Sequence, residues 1–276
     1  MRLMPEKNRI AVVMPAYNAS KTLTETYREL PLDLVDLVIV VDDGSEDATV
    51  QVARGLDLQL HVHDRNRGYG AGQKTGYGEA MKTDAAIVVM LHPDEQHDPH
   101  LLPDLVQPIL DGRADVVLGS RFMGASPIGQ GMPRWRYLGN RLLTRLENAV
   151  FGLQLTEYHT GYRAFRREVL ESVPYWLNSD QFVFDQEIVA QIVAQGFRIA
   201  EVPVSTRYTR KSSSVGFLQS LRYGLSILWI LGRFVAHKSR IFPQRWLARS
   251  AGDGATGPSM VATEGAAVKA ERVKAD

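Results

Sequence analysis

The strongest constraint on this chain is a set of unbroken aliphatic runs, each ending abruptly in polar residues. RIAVVM (9–14), DLVIVVD (36–42), AAIVVML (85–91) and ADVVLGS (114–120) place Val, Ile and Leu at successive rather than alternate positions. A strand with one wet face alternates; a continuous run needs cover on both faces, as in a parallel sheet between helices. LQLHVH (58–63) reads as a weaker strand. Helical patterns separate these runs at 19–30, from near Ser45, at 70–82 and at 99–111. Strand–helix alternation predicts a layered α/β fold, a Rossmann-like, mostly parallel sheet flanked by helices. Such sheets bind ligands beyond the carboxyl ends of their strands. PAYN, DDGS and HPDEQ each directly follow a strand, so all three are predicted onto one rim.

From about residue 132 the pattern changes. It predicts a helix over 134–151, an extended or turn-like TGYRAFRR, a helix over 184–195 and a strand FRIAEVPV (197–204). The most hydrophobic segment, FLQSLRYGLSILWILGRFVA (217–236), comes last. Only ten residues separate Arg222 from Arg233, roughly 15 Å of helix or about half a bilayer core, so the segment is not expected to span a membrane. From Val202 to Arg249 there are nine Lys or Arg and no Asp or Glu, an asymmetry that favours an anionic membrane surface. The plainer alternative is a helix packed on the domain or on a second copy in a homo-oligomer. The expected units are a catalytic domain (8–212), a basic amphipathic, membrane-interfacial helix (213–248) and a disordered tail (249–276), whose small residues cannot bury enough surface to order.

Composition excludes several classes. The chain has 276 residues, no cysteine and a net charge of +1. Disulfides and thiolate metal sites are therefore ruled out, and nothing global points to a nucleic-acid partner. MRLMPEKNRI has no long apolar run, so no signal peptide is expected.

The strand ends carry the chemistry. In VVMPAYNAS, Pro15 and Tyr17 make a rigid turn with an aromatic face for a base; the alternative is an ordinary turn capped by Ser20. In VVDDGSEDAT, the adjacent carboxylates Asp42 and Asp43 can accept hydrogen bonds from a base or ribose. Helix capping explains one acid but not the pair. DRNRGYGAGQKTGYG, with Gly68 and Gly70, lets backbone amides approach an anion at a helix start, although Walker spacing is absent. In HPDEQHDP, His92, Asp94 and Gln96 offer one imidazole and hard oxygen donors, a set compatible with Mn2+ or Mg2+, the imidazole favouring Mn2+.

VVMPAYNAS, VVDDGSEDAT, NRGYGAG, HPDEQHDP, GSRF, TGYRAFRREVL and FDQEIVAQ…GFRIAEVPV occur in the order and spacing of glycosyltransferase family 2. Over about residues 8–220 the chain resembles the dolichol-phosphate mannose synthase and polyprenyl-phosphate branch of that family. The resemblance implies a GT-A fold, a nucleotide-diphosphate sugar donor, a divalent metal and inversion at the anomeric carbon. It also implies roles: Pro15, Tyr17 and Asp42 at the base and ribose, Gly68 and Gly70 beside the nucleotide, and Asp94 and Gln96 in the metal motif. Arg121 would meet phosphate or sugar. Thr160, Gly161 and Arg163 match the family's Ser-Gly-Phe-Arg, and Asp185 with Glu187 its acceptor-side acidic pair. His92 stands where the family has the first Asp of Asp-x-Asp, Ala19 where Glu is frequent, and Val215 where Lys is common.

The resulting expectation is an inverting hexosyltransferase, peripheral at the cytoplasmic membrane face, that moves a hexose from GDP-mannose or a UDP-hexose to a polyprenyl phosphate. Asp94, Arg121, Arg163 and Asp185 are its expected catalytic residues. An anionic acceptor needs cations rather than a strong base, and Arg121, Arg163, Arg207 and Arg210, with Thr160, are the candidates. A saccharide hydroxyl would instead need a base, for which Asp185 or Glu187 would serve. A nucleotide-sugar-binding protein without turnover is a third reading, supported by His92. A nucleotidyltransferase is disfavoured by the lack of an N-terminal Gly-rich loop with an activating basic residue.

Overall fold

The computed structural model describes residues 9–124, 126–206 and 217–249. In chain order the elements are β1 (Ile10–Ala16), α1 (Leu23–Arg28), β2 (Leu37–Asp42), α2 (Thr49–Arg54), β3 (Gln59–Val62), α3 (Tyr69–Met81), β4 (Ile87–Met90), α4 (Leu102–Leu110) and β5 (Val116–Ser120). They continue as α5 (Arg134–Phe151), β6 (Arg163–Arg166), α6 (Arg167–Ser172), α7 (Phe184–Ala194), β7 (Ile199–Pro203) and α8 (Phe217–Lys238). One seven-stranded sheet runs β3-β2-β1-β4-β6-β5-β7.

The aliphatic runs behave as the sequence predicts. In β1, Ile10, Val12 and Met14 enter one core while Ala11 and Val13 enter the other. The first core lies beneath α1, α2 and α4; the second receives Tyr77 of α3, Val169 of α6 and Ile188 of α7. Parallel pairing joins β1 to β2 and β4, β2 to β3, and β5 to β7. Their carboxyl ends therefore share one rim.

Of the two readings of TGYRAFRR, extended or turn-like, the structure has the extended one, a strand. β6 enters antiparallel between β4 and β5. Its register sets Met90 opposite Arg163, which brings the start of β6 alongside the residues leaving β4. Two helices begin later than the sequence suggests, α1 at Leu23 and α2 at Thr49, because the residues ahead of them are tied into loops. The 99–111 helix opens as a 3-10 turn, Pro99–Leu101, where Asp98 Oδ1 accepts from His100 N at 3.0 Å.

α8 has two different apolar faces. Ile227, Ile230, Leu231 and Phe234 are buried with Phe151, Tyr158, Val189, Ala190, Trp246 and Leu247. Tyr223 accepts from Gln186 Nε2 at 3.0 Å, tying α8 to α7. Leu221, Leu225, Leu228, Trp229 and Val235 remain exposed. No described helix is long and apolar enough to cross a membrane. Residues 1–8, 207–216 and 250–276, and with them Arg207, Arg210, Val215 and nearly all of the predicted tail, lie outside the described residues.

α3 lies close on β1: a Cβ at Gly76 would sit 2.2 Å from Val13 Cγ1. Gly76→Ala overfills this contact and is expected to cost roughly 1–3 kcal/mol, read as a lower urea midpoint at unchanged slope.

Candidate active site

The loops after β1 and β2 are stitched together. Asn18, in a left-handed conformation (φ 52°), donates its amide to Ser45 Oγ at 2.9 Å, and its Oδ1 accepts from Glu46 N at 2.9 Å. Ala19 N donates to Thr49 Oγ1 at 2.8 Å, and Ser20 Oγ to Asp47 Oδ2 at 2.6 Å. These cross-loop bonds hold 18–20 and 45–48 out of helix. They leave Tyr17 half exposed above the rim. Asp42 is fully buried; its Oδ2 accepts from Ser45 N at 3.0 Å, while its Oδ1 has no hydrogen-bond partner among the described residues. A buried, unsatisfied carboxylate oxygen is costly, and a bound donor group would satisfy it.

Asp43 does something else. Its Oδ1 receives His63 Nδ1 at 2.6 Å and Arg67 N at 2.9 Å, and its Oδ2 receives Gly68 N at 2.8 Å. The expectation that Asp43 faces the nucleotide is therefore corrected: both oxygens pin the Gly-rich loop. Gly68 and Gly70 are explained by protein rather than ligand. Gly68 has φ 110°, and a Cβ there would meet Asp180 O at 2.4 Å; at Gly70 it would meet Ser179 O at 2.4 Å. Gly70 N already donates to Asp180 O at 2.8 Å, so that amide is not turned toward an anion.

Beyond β4, burial pushes the Asp94 carboxyl up from its ordinary value, against the opposing pull of His92. Asp94 Oδ1 accepts from Gln96 N at 3.0 Å, closing a tight turn in which Glu95 takes φ 59°. A half-buried carboxylate with an imidazole close by and Gln96 two residues on in sequence is a donor set that fits Mn2+ or Mg2+. The His92 ring rests against Gly161, where a Cβ would come within 2.6 Å of its Cδ2 and Nε2. Its Nε2 lies 3.0 Å from Tyr69 Oη. His97 is buried, and burial with the nearby Arg121 and His92 pushes it down to about 3, so it is neutral. A separate cluster of Glu29, Asp98 and His100 brings ligand atoms within 4.8 Å of one another, but His100 Nδ1 is already engaged by Asp98 at 2.9 Å.

The acceptor-side residues come together with altered roles. Arg163, expected to meet acceptor phosphate, is fully buried. Its Nε donates to Thr160 O at 2.7 Å, one terminal nitrogen to Asp185 O at 2.9 Å and the other to Tyr158 O at 3.1 Å. That expectation is corrected: the guanidinium anchors protein carbonyls. Thr160 is buried as well, and its hydroxyl accepts from Tyr162 N at 3.3 Å. Asp185 points inward, accepting from Tyr69 Oη at 2.7 Å and Gln73 Nε2 at 3.0 Å. Glu187 caps Ser179 N at 2.6 Å, and burial raises its carboxyl. Arg121 is paired with the buried Glu157 and also donates to His159 O at 2.9 Å.

Glu157, Tyr69 and Gln73 were not singled out from sequence. Glu157 sits three residues before Thr160, and its backbone N donates to Glu201 Oε1 at 2.9 Å. Tyr69 did leave a signal: it is an aromatic side chain in a run of glycines. Burial and the Asp185 carboxylate push its hydroxyl well above the ordinary value, so it keeps its proton.

Asp47 gives this rim a pH signature. Burial alone would raise its carboxyl, but hydrogen bonds from Ser20 and Thr49 outweigh it and lower it from 3.8 to about 2. Its stabilisation is thus complete above the unfolded value and fades as pH falls toward 2. Asp47→Asn should melt below wild type at pH 7, and the gap should shrink as the pH is lowered to 2, followed by circular dichroism.

Residues 11–173 match the model of the family described as glycosyl transferase family 2. The chain is 32% identical over 210 residues to an uncharacterized protein of Methanocaldococcus jannaschii, covering 76% of this chain and 86% of that one. It is 27% identical over 224 residues to the UDP-N-acetylglucosamine–dolichyl-phosphate N-acetylglucosaminyltransferase of Methanococcus voltae, covering 75% and 89%. Among solved structures, glucosyl-3-phosphoglycerate synthase from Mycobacterium tuberculosis in complex with UDP superposes with a TM-score of 0.65 at 21% identity, over 83% of this chain and 80% of that one. That likeness bears out the GT-A fold. With ordered motifs on one rim and a family match across most of the sheet, this chain belongs to glycosyl transferase family 2.

Proposed function

We propose that the protein transfers a hexose from a nucleotide-diphosphate sugar to a polyprenyl phosphate, with inversion at the anomeric carbon. The observation that carries the donor half is the unsatisfied Oδ1 of Asp42 at the carboxyl edge of the sheet. We assign it to accept an N–H from a nucleobase, with the half-exposed Tyr17 on the same rim. The Methanococcus voltae relative, named for a UDP-N-acetylglucosamine donor and a dolichyl-phosphate acceptor, supports the acceptor half.

In the reaction an oxygen of the acceptor phosphate attacks the anomeric carbon. The bond from that carbon to the donor's diphosphate breaks, and the nucleoside diphosphate leaves with the electron pair. Asp94, with His92 and Gln96, is the set that would hold a Mn2+ or Mg2+ ion, which when bound supplies charge neutralisation to the leaving diphosphate. No general base is needed, because the acceptor is already anionic. This agrees with Asp185, whose oxygens are engaged by Tyr69 and Gln73, and it disfavours a saccharide hydroxyl as acceptor. Arg121, set on the rim by Glu157, together with Arg207 and Arg210, remains assigned to the acceptor phosphate.

A lipid acceptor must be met at a membrane. The outer face of α8 exposes Trp229 at 69% and Leu225 at 59%, and α5, which packs against α8, exposes Trp135, Leu138, Leu142 and Leu146. Their spacing makes a single helical stripe. Arg134, Arg136, Arg141, Arg145, Arg222 and Lys238 belong to the same two helices, and Glu147, the sole acid on them, is buried. We assign this surface to an anionic bilayer on the cytoplasmic side, with the protein peripheral to it.

Purified protein given GDP-mannose, UDP-glucose or UDP-GlcNAc with a short polyprenyl phosphate should glycosylate the lipid with one of them. Transfer should stop with EDTA and in Asp94→Ala. Asp42→Asn should weaken nucleotide binding by roughly 10-fold or more, the cost of reversing one hydrogen-bonding group in a buried site. Nucleotide binding with no transfer to lipid would sink the acceptor assignment. In co-sedimentation, the protein should bind vesicles containing phosphatidylglycerol more tightly than pure phosphatidylcholine vesicles. Leu225→Glu with Trp229→Glu should abolish the difference while leaving transfer to a detergent-dispersed acceptor; equal binding by this variant would refute the surface.

A further inference from the structure

His92 stands where family 2 chains have a carboxylate, and the structure gives its ring one orientation. Gly161 leaves room for the Cδ2–Nε2 edge. The antiparallel register of β6 against β4 puts Gly161 there, two residues before the Met90–Arg163 pair. Nε2 lies 3.0 Å from Tyr69 Oη, and the two rings lie 5.2 Å apart, tilted by 32°. On its other side Tyr69 stacks on Phe182 at 4.8 Å. The ring of Tyr69 is thus held between two aromatic neighbours.

Tyr69 has one proton to donate, and it goes to Asp185 Oδ2 at 2.7 Å. The Asp185 carboxylate can only accept, and Arg163 Nη1 lies 3.7 Å from its other oxygen. The Tyr69 oxygen must therefore accept from His92, so His92 Nε2 carries the hydrogen. In a neutral imidazole this leaves Nδ1 with its lone pair, and Nδ1 has no hydrogen-bond partner among the described residues. A carboxylate fixing the tautomer of a metal-binding histidine through its far nitrogen is a general device for raising ligand basicity. Here a tyrosine is interposed.

We propose that Tyr69 is a positioning residue that fixes His92 as the Nε2–H tautomer and so makes Nδ1 a metal ligand in place of the family's carboxylate. This rests on reading residues 92–96 as the metal site. The consequence is a site with a neutral nitrogen donor and one fewer negative charge, selective for Mn2+ over Mg2+.

The tautomer is read without metal or activity. Protein labelled with 15N-histidine should show, in two-bond 1H–15N correlation spectra, a side chain with protonated Nε2 and bare Nδ1 whose signals vanish in His92→Asn. A protonated Nδ1 with bare Nε2 overturns the proposal. Mn2+ affinity, measured by electron paramagnetic resonance in the presence of UDP, should fall about 10- to 100-fold in Tyr69→Phe. In His92→Asp, Mg2+ should bind in competition with Mn2+, and adding Tyr69→Phe should then change little. Unchanged Mn2+ affinity in Tyr69→Phe, or no Mn2+ binding by wild type, overturns the proposal. A protein with the expected tautomer and Mn2+ affinity that transfers nothing to polyprenyl phosphate would remove the acceptor assignment and leave this inference standing.

Discussion

A guanidinium buried without exposed surface must find acceptors within the protein, and each nitrogen of Arg163 donates to a carbonyl, two in the turn just before its own strand and one in α7. Removing a buried charge's partner is expensive, which makes such a hub hard to rearrange. Its bond to the Asp185 carbonyl fixes the start of α7. The Asp185 side chain then holds Tyr69 and Gln73 at the start of α3, and Tyr69 meets His92 at the end of β4. One cation thus sets the relative positions of four segments distant in sequence, and the side of the rim that carries His92 and Asp94 inherits its geometry from that linkage.

The side of the rim formed by the loops after β1 and β2 is organised by carboxylates rather than a cation. Asp43 gathers His63 and two loop amides, and Asp47 gathers Ser20 and Thr49. Each is satisfied by protein groups. Asp42, between them in function and adjacent to Asp43 in sequence, keeps one buried oxygen open. Neighbouring acids of the same type are therefore set apart by what surrounds them, two fully engaged by protein groups and one with an oxygen unmatched among the described residues.

The rim itself was legible because burial on both faces of a sheet leaves continuous aliphatic runs. The α5 helix was legible to the residue, set between Pro133 and a left-handed Gly152 (φ 74°). β6 was legible only as extended or turn-like: four residues reading Arg-Ala-Phe-Arg carry no strand periodicity, and pairing on both edges makes them a strand. The roles of Arg163 and Asp43 were misread for a common reason. A charged group in a motif looks the same in sequence whether it faces a ligand or the interior. Tyr69 and Glu157 were missed because their partners lie 116 and 36 residues away.

The antiparallel insertion of β6 has an evolutionary corollary. Everything assigned to the nucleotide and metal is drawn from one unbroken stretch ending at Gln96, just beyond β4, whereas the opposite wall is assembled from later segments that return to the sheet through a single short strand. On the proposed function, changes confined to the later half would alter what is modified, while the earlier half goes on handling the same activated precursor. The hinge of that arrangement is the contact between Gly161 and His92, where the two inheritances touch, and where a change on one side would have to be answered on the other.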